Sequence, residues 1–187
     1  MGKYTAPFLC FYQSSIFGPM QKNTLSLLFL LLTASLMGQR TMEKTITKLV
    51  KGDVPLVHVT ELSVNTSYIT LDTREKEEFD VSHLPGAHYI GYTDFDPKKM
   101  VDLIPGKNAT VVVYCSIGVR SEKIGKKLMA MGYTDVKNLA GGIIQWKNKG
   151  QTVVDSFGNE TDKIHTYNRL FGLLLNKGKK VYGPENN

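Results

Sequence analysis

The chain has 187 residues, 42% hydrophobic and 21% charged, which suits one compact globular domain with a substantial core. Formal net charge is +6. The lysines are scattered, with no basic block interleaved with aromatics, so a solvated lysine-rich surface is expected rather than a nucleic-acid partner, and a mild attraction for small anions remains.

Residues 1–38 read as an upstream extension and a secretion signal. Lys22 gives a positive start, and the run from Leu25 to Leu32 opens an apolar stretch reaching Met37. That stretch falls short of the ~20 residues a membrane span needs. Cleavage near Gly38/Gln39 is expected, leaving no stable membrane span and an exported protein, periplasmic or secreted. An uncleaved anchor or buried helix is the alternative. Met20 is an alternative initiator, which would make Met1–Pro19 an over-extended frame. The chain has two cysteines, and cleavage would remove Cys10 and leave Cys115 alone. A lone thiol in an exported protein has no internal disulfide partner and is a candidate reactive group.

Residues 39–55 are an entry segment, in which Lys44 to Val50 suit a short helix or an extended lead-in. Leu56–Val59 and Tyr68–Leu71 are strands, and Thr73 is placed to cap a short acidic helix from Arg74 to Phe79. His83-Leu84-Pro85-Gly86-Ala87 is a turn into a short strand at His88–Ile90, and a helix from Asp96-Pro97 to Leu103 follows. Val111–Tyr114 is the clearest strand, continuously apolar and therefore covered on both faces. Arg120–Met131 is a helix carrying Ile124, Leu128 and Met131 inward. A strand at Val136–Leu139 and a helix from Gly141-Gly142 through Trp146 close the pattern; Trp146 and Met129 are read as core. Alternating strands and helices imply a mostly parallel sheet with helices on its faces. Residues 151–187 are read as a C-terminal extension packing on the domain, with Asp162 capping a helix through Leu175 and an edge strand near Val181-Tyr182.

Chemistry concentrates at Cys115-Ser116-Ile117-Gly118-Val119-Arg120-Ser121, between the clearest strand and a helix start. Loop N–H groups and the helix N-terminus favour thiolate over thiol, and thiolate is the nucleophile. Gly118 permits the tight turn, and Ser121 caps the helix or hydrogen-bonds the loop. Arg120 offers a fixed cation to an incoming anion. Asp72, Arg74 and His83 are assigned structural support: Asp72 at a strand end, Arg74 pairing with Glu78 one turn on, His83 through a hydrogen bond. The four histidines (His58, His83, His88, His165) have no metal-ligand spacing, and no metal or other cofactor is called for. Asn65-Thr66-Ser67, Asn108-Ala109-Thr110 and Asn159-Glu160-Thr161 form sequons that are read as chance matches.

Four blocks, taken together, resemble the rhodanese domain. They are Leu71-Asp72-Thr73-Arg74-Glu75 with Glu78-Phe79; His83-Leu84-Pro85-Gly86-Ala87; the Cys115–Ser121 loop; and Gly141-Gly142-Ile143 with Trp146 and Gly150. They cover residues 56–150. The resemblance implies a three-layer α/β fold, a central parallel sheet flanked by helices. It also implies a persulfide on Cys115, with Ser116, Ile117, Gly118, Val119, Arg120 and Ser121 forming the binding loop. A small sulfur-containing anion, thiosulfate or a persulfide, would be the donor; an external thiol or cyanide would be the acceptor. Two alternatives stay open. One is a rhodanese-like carrier or binding module without turnover. The other is a cysteine phosphatase or arsenate reductase, whose loops are one residue longer between cysteine and arginine than Ser116–Val119 here.

Overall fold

A computed structural model describes residues 19–64 and 67–183. Most of the upstream extension, Cys10 and the Asn65-Thr66 part of the first sequon lie outside them. The chain divides into two compact units at Met37/Gly38. Helix α1 (Pro19–Leu49) begins in the first unit, where Leu25, Leu27, Leu28, Phe29, Leu30 and Leu32 are exposed. Among the described residues no helix is long and apolar enough to cross a membrane.

The second unit is built on one sheet. In chain order its elements are β1 (Leu56–Val57), α2 (Val59–Leu62), β2 (Ile69–Asp72), α3 (Lys76–Val81), β3 (His88–Tyr89), α4 (Lys99–Leu103), β4 (Thr110–Tyr114), α5 (Val119–Ala130), β5 (Asp135–Leu139) and α6 (Gly142–Asn148). The five strands run parallel in the order β1-β5-β4-β2-β3. Strand β4 lies at the centre because its residues suit neither solvent nor an edge. Val112 and Tyr114 point into one apolar layer with Met42, Ile143, Ile144 and Trp146, while Val111 and Val113 point into the other with Met100, Ile124 and Leu128. The two-residue period of a strand sends these side chains to opposite faces, so both must be covered.

Some local expectations shift. Thr73 does not cap α3. Its hydroxyl donates to the Tyr114 carbonyl at 3.0 Å, tying the ends of β2 and β4 together. The cap is Glu75, in a reciprocal capping box with Glu78. Met129 faces outward, 42% exposed, because Ile124 and Leu128 already define the buried stripe of α5.

The C-terminal extension contains β6 (Val153–Val154), β7 (Glu160–Thr161), β8 (Lys163–His165), α7 (Arg169–Gly172) and β9 (Lys179–Val181). The long helix expected from Asp162 to Leu175 is absent. Ile164 instead pairs in parallel with Lys180, and Asn168 caps only the four-residue α7. Polar groups stitch this segment down. His83 and Val154 exchange backbone hydrogen bonds at 2.8 and 2.9 Å, and the Ser82 hydroxyl donates to the Lys163 carbonyl at 2.6 Å. Asn148 Oδ1 accepts the Asn176 amide at 2.7 Å, and Lys147 pairs with Asp162. These contacts seat β8 alongside α3.

Candidate active site

The carboxyl ends of parallel strands are where an α/β sheet offers a crevice. Here the register sets Asp72 beside Tyr114, so the segments after β2 and β4 leave the sheet together. Cys115 is the first residue past β4 and is 2% exposed. Its loop turns at Gly118, whose φ of 110° is open to glycine and disfavoured for other residues. The Gly118 N–H then donates to Cys115 Sγ at 3.2 Å. Gly142 holds the other side of the loop. A Cβ there would fall 2.1 Å from the Cys115 carbonyl oxygen, and φ is 55°. This close approach lets α6 direct the Ile143 N–H to the Cys115 carbonyl at 2.9 Å. The Gly141-Gly142 block thus forms a backbone clamp on the cysteine loop.

Burial raises the Cys115 thiol pKa. The Arg120 charge, the Ser121 amide and hydroxyl, and the Ile117 N–H outweigh burial and leave the pKa below the ordinary cysteine range. The Ser121 hydroxyl is shared with Asn138 Oδ1, at 2.7 Å, while Asn138 Nδ2 donates to the Gly118 carbonyl at 2.9 Å. Ser116 and Ile117 are buried in the loop, and Val119 begins α5.

Arg120 is not the free cation the sequence suggests. Its Nη1 donates to Glu78 Oε2 at 2.6 Å, and its Nη2 donates to Glu78 Oε1 at 2.8 Å and Ser116 Oγ at 3.1 Å. Glu78 also accepts from the Ser116 hydroxyl at 3.2 Å and from the Glu75 amide at 3.1 Å. Its side chain is 4% exposed and that of Arg120 is 13%. Burial would raise the Glu78 pKa, but hydrogen bonds from His165 and Arg120 and the nearby arginine charges hold it well below the usual carboxylate range.

The expected Arg74–Glu78 pair does not form. Arg74 folds back on Asp72, with Nε at 3.0 and 3.1 Å from its two oxygens and Nη2 at 2.6 Å, and Nη2 also reaches the Ser82 carbonyl at 2.6 Å. The Arg74 amide also donates to Asp72 Oδ1 at 2.9 Å, and this local turn makes Asp72 the nearer carboxylate. His83 stacks on Phe79 at 3.8 Å and its Nδ1 lies 3.0 Å from the Phe79 carbonyl. Among the described residues no cluster of His, Cys, Asp or Glu could hold a metal ion.

Besides Glu78 as the partner of Arg120, two residues of this site were missed by sequence reasoning. His165 Nδ1 lies 3.6 Å from Glu78 Oε1, and the Tyr167 ring lies over the Arg120 guanidinium, 4.6 Å from centroid to Cζ. Both come from the extension, some ninety residues along the chain from Glu78. No local spacing links them to it.

Residues 59–149 match the family model of the rhodanese-like domain. Thiosulfate sulfurtransferase PspE of Escherichia coli (strain K12) is 36% identical over 93 residues, covering 50% of this chain and 88% of that protein. The chain belongs to the rhodanese family. Its rhodanese domain is also similar to part of the adenylyltransferase and sulfurtransferase UBA4 of Meyerozyma guilliermondii, at 35% identity over 89 residues, which span 44% of this chain but only 20% of that protein. Among solved structures, thiosulfate sulfurtransferase from Pseudomonas aeruginosa shares the fold at a TM-score of 0.51 and 21% identity, covering 67% of this chain and 24% of that one. His165 and Tyr167 lie beyond the matched rhodanese residues.

Proposed function

We propose that this protein is a sulfurtransferase that carries a sulfane sulfur on Cys115. The observation that carries the reading is the Cys115 loop. The Gly118 N–H lies 3.2 Å from Sγ, and the Arg120 charge lowers the thiol pKa. Sulfur transfer needs a group that is both nucleophile and leaving group, and a thiolate serves both ends. The Cys115 thiolate attacks the outer sulfur of the donor. The donor's S–S bond breaks and its electron pair leaves with the remainder, such as sulfite from thiosulfate. A persulfide now stands on Cys115, where loop N–H groups stabilise its charge. A thiolate or cyanide then takes the outer sulfur and regenerates Cys115. With no other cysteine among the residues from Gln39 onward, the acceptor is an external molecule.

The near-complete burial of Cys115 favours one second reading, a carrier that loads slowly and does not turn over. The two are separated by thiosulfate and cyanide supplied together. Steady thiocyanate production that disappears in Cys115→Ser supports the enzyme. A single equivalent of thiocyanate and no more supports the carrier, and none with any donor contradicts both.

We also propose that residues 1–38 are a leader and that the mature protein acts outside the cytoplasm. The exposed leucine-rich segment from Leu25 to Leu32 supports this reading. N-terminal sequencing of exported material would find Gln39 first; full-length cytosolic protein would contradict it.

A further inference from the structure

The C-terminal extension makes two contacts with the Arg120–Glu78 pair and is anchored by a third, apolar one. First, His165 faces Glu78. Its Nε2 accepts the Gly183 N–H at 2.9 Å and its Nδ1 accepts the Tyr167 N–H at 3.3 Å, which sets Nδ1 3.6 Å from Glu78 Oε1. Second, Tyr167 covers Arg120 with its ring. Among the described residues Tyr167 is the only non-glycine residue with positive φ, at 67°. That conformation is costly for a tyrosine and persists only where surrounding contacts hold it. Third, Ile164 and Leu175 are buried in the same apolar layer as β4, which fixes the extension over this end of the sheet.

The consequence is that both terminal nitrogens of Arg120 are engaged. Glu78 neutralises the guanidinium, and the remaining Nη2 bond goes to Ser116. The apolar loop residues Ile117 and Val119 pack into the apolar layer of β4 and bring no further charge to the loop. A dianion such as thiosulfate entering here would lose its hydration and find the Arg120 charge already compensated by Glu78. An organic persulfide reacts as R–S–S–H, with no charge on the sulfur to be transferred, and needs no such cation.

We propose that the extension makes this site selective for organic persulfide donors over thiosulfate, by holding Glu78 on Arg120. His165 is a positioning residue acting through Glu78. The step balances without an added oxidant or reductant. The Cys115 thiolate attacks the outer sulfur of R–S–S–H, the S–S bond breaks, and R–S⁻ leaves with the electron pair. Cys115–S–S–H remains, its proton having travelled with the transferred sulfur. The proposal rests on the sulfurtransferase reading.

The test uses the full chain with cysteine persulfide or thiosulfate as donor, and intact mass to follow one added sulfur on Cys115 over time. Cysteine persulfide is expected to load the wild type at least ~10-fold faster than thiosulfate, with the thiosulfate rate nearly independent of salt. Glu78→Gln frees the Arg120 charge, so thiosulfate loading is expected to rise ~10-fold and become salt-sensitive, while persulfide loading does not rise. His165→Ala is expected to move the donor ratio in the same direction by a smaller factor, which a purely structural role would not do. Should Glu78→Gln fail to fold, the wild-type donor ratio and its salt dependence still decide. Thiosulfate loading the wild type as fast as the persulfide would overturn the selectivity and leave the sulfurtransferase reading standing. Loading by neither donor would overturn both.

Discussion

Two buried arginine–carboxylate pairs stand near the carboxyl ends of β2 and β4, and they do different things. Arg74 and Asp72 are fully sealed, both at 0% side-chain exposure, and bind each other and the Ser82 carbonyl. Arg120 and Glu78 are buried less completely and are reached from α3, α5 and β8. The first pair ties the end of β2 to the end of α3 and reaches Glu78 only through its charge. The second lies beside a thiol whose ionisation it shifts. Burial alone therefore does not distinguish a brace from a functional pair; what else lies within reach of the charge does.

The comparison is sharpest in stability. Arg74→Ala leaves Asp72 buried without its partner, and an orphaned buried charge of this kind costs about 3–5 kcal/mol. Chemical denaturation should register that loss. The same measurement on Arg120→Ala should register less, because Glu78 keeps Ser116, the Glu75 amide and His165 around it. Equal losses would erase the distinction.

Reactivity should order the variants the other way. Arg120→Ala is expected to slow sulfur loading of Cys115 about 100-fold, the scale for removing a group that stabilises developing charge. The pH dependence of Cys115 alkylation tests the same field. The folded pKa is depressed, so thiolate is present above a midpoint lying below the ordinary cysteine range and is lost as pH falls through it. Arg120→Ala should move that midpoint up. A substitution of Arg74 that still folds should leave it in place.

A smaller effect is expected of Ser121→Ala. It removes one shared hydrogen bond to Sγ, a contribution of about 1 kcal/mol, so the alkylation midpoint should rise by under about one pH unit. A shift as large as that of Arg120→Ala would assign the thiol's acidity to the loop dipoles rather than to the arginine.

Much of this arrangement was legible in the sequence. The apolar run Val111–Tyr114 marked the central strand, and Cys115 with Gly118 and Arg120 marked the loop, because strand period and glycine demand are local properties; the clamp that Gly142 puts on that loop was not legible. The partner of Arg120 was not legible. Glu78 lies 42 residues away, and the sequence offered Arg74 one turn along instead. The extension was misread for a related reason. Ile164, Tyr167, Leu170, Phe171 and Leu174 have helical spacing, yet Leu170 is exposed while Ile164 is buried in a strand pair. Apolar spacing reports which residues want cover, and here that cover comes from β9 and the sheet rather than from one helix face.

The central claim is that Cys115 itself carries the sulfur. Intact mass after treatment with a sulfane donor tests it directly. The account predicts one added sulfur on the wild type, removed by cyanide and absent in Cys115→Ala. An unchanged wild-type mass with every donor, or the same gain in Cys115→Ala, would contradict it.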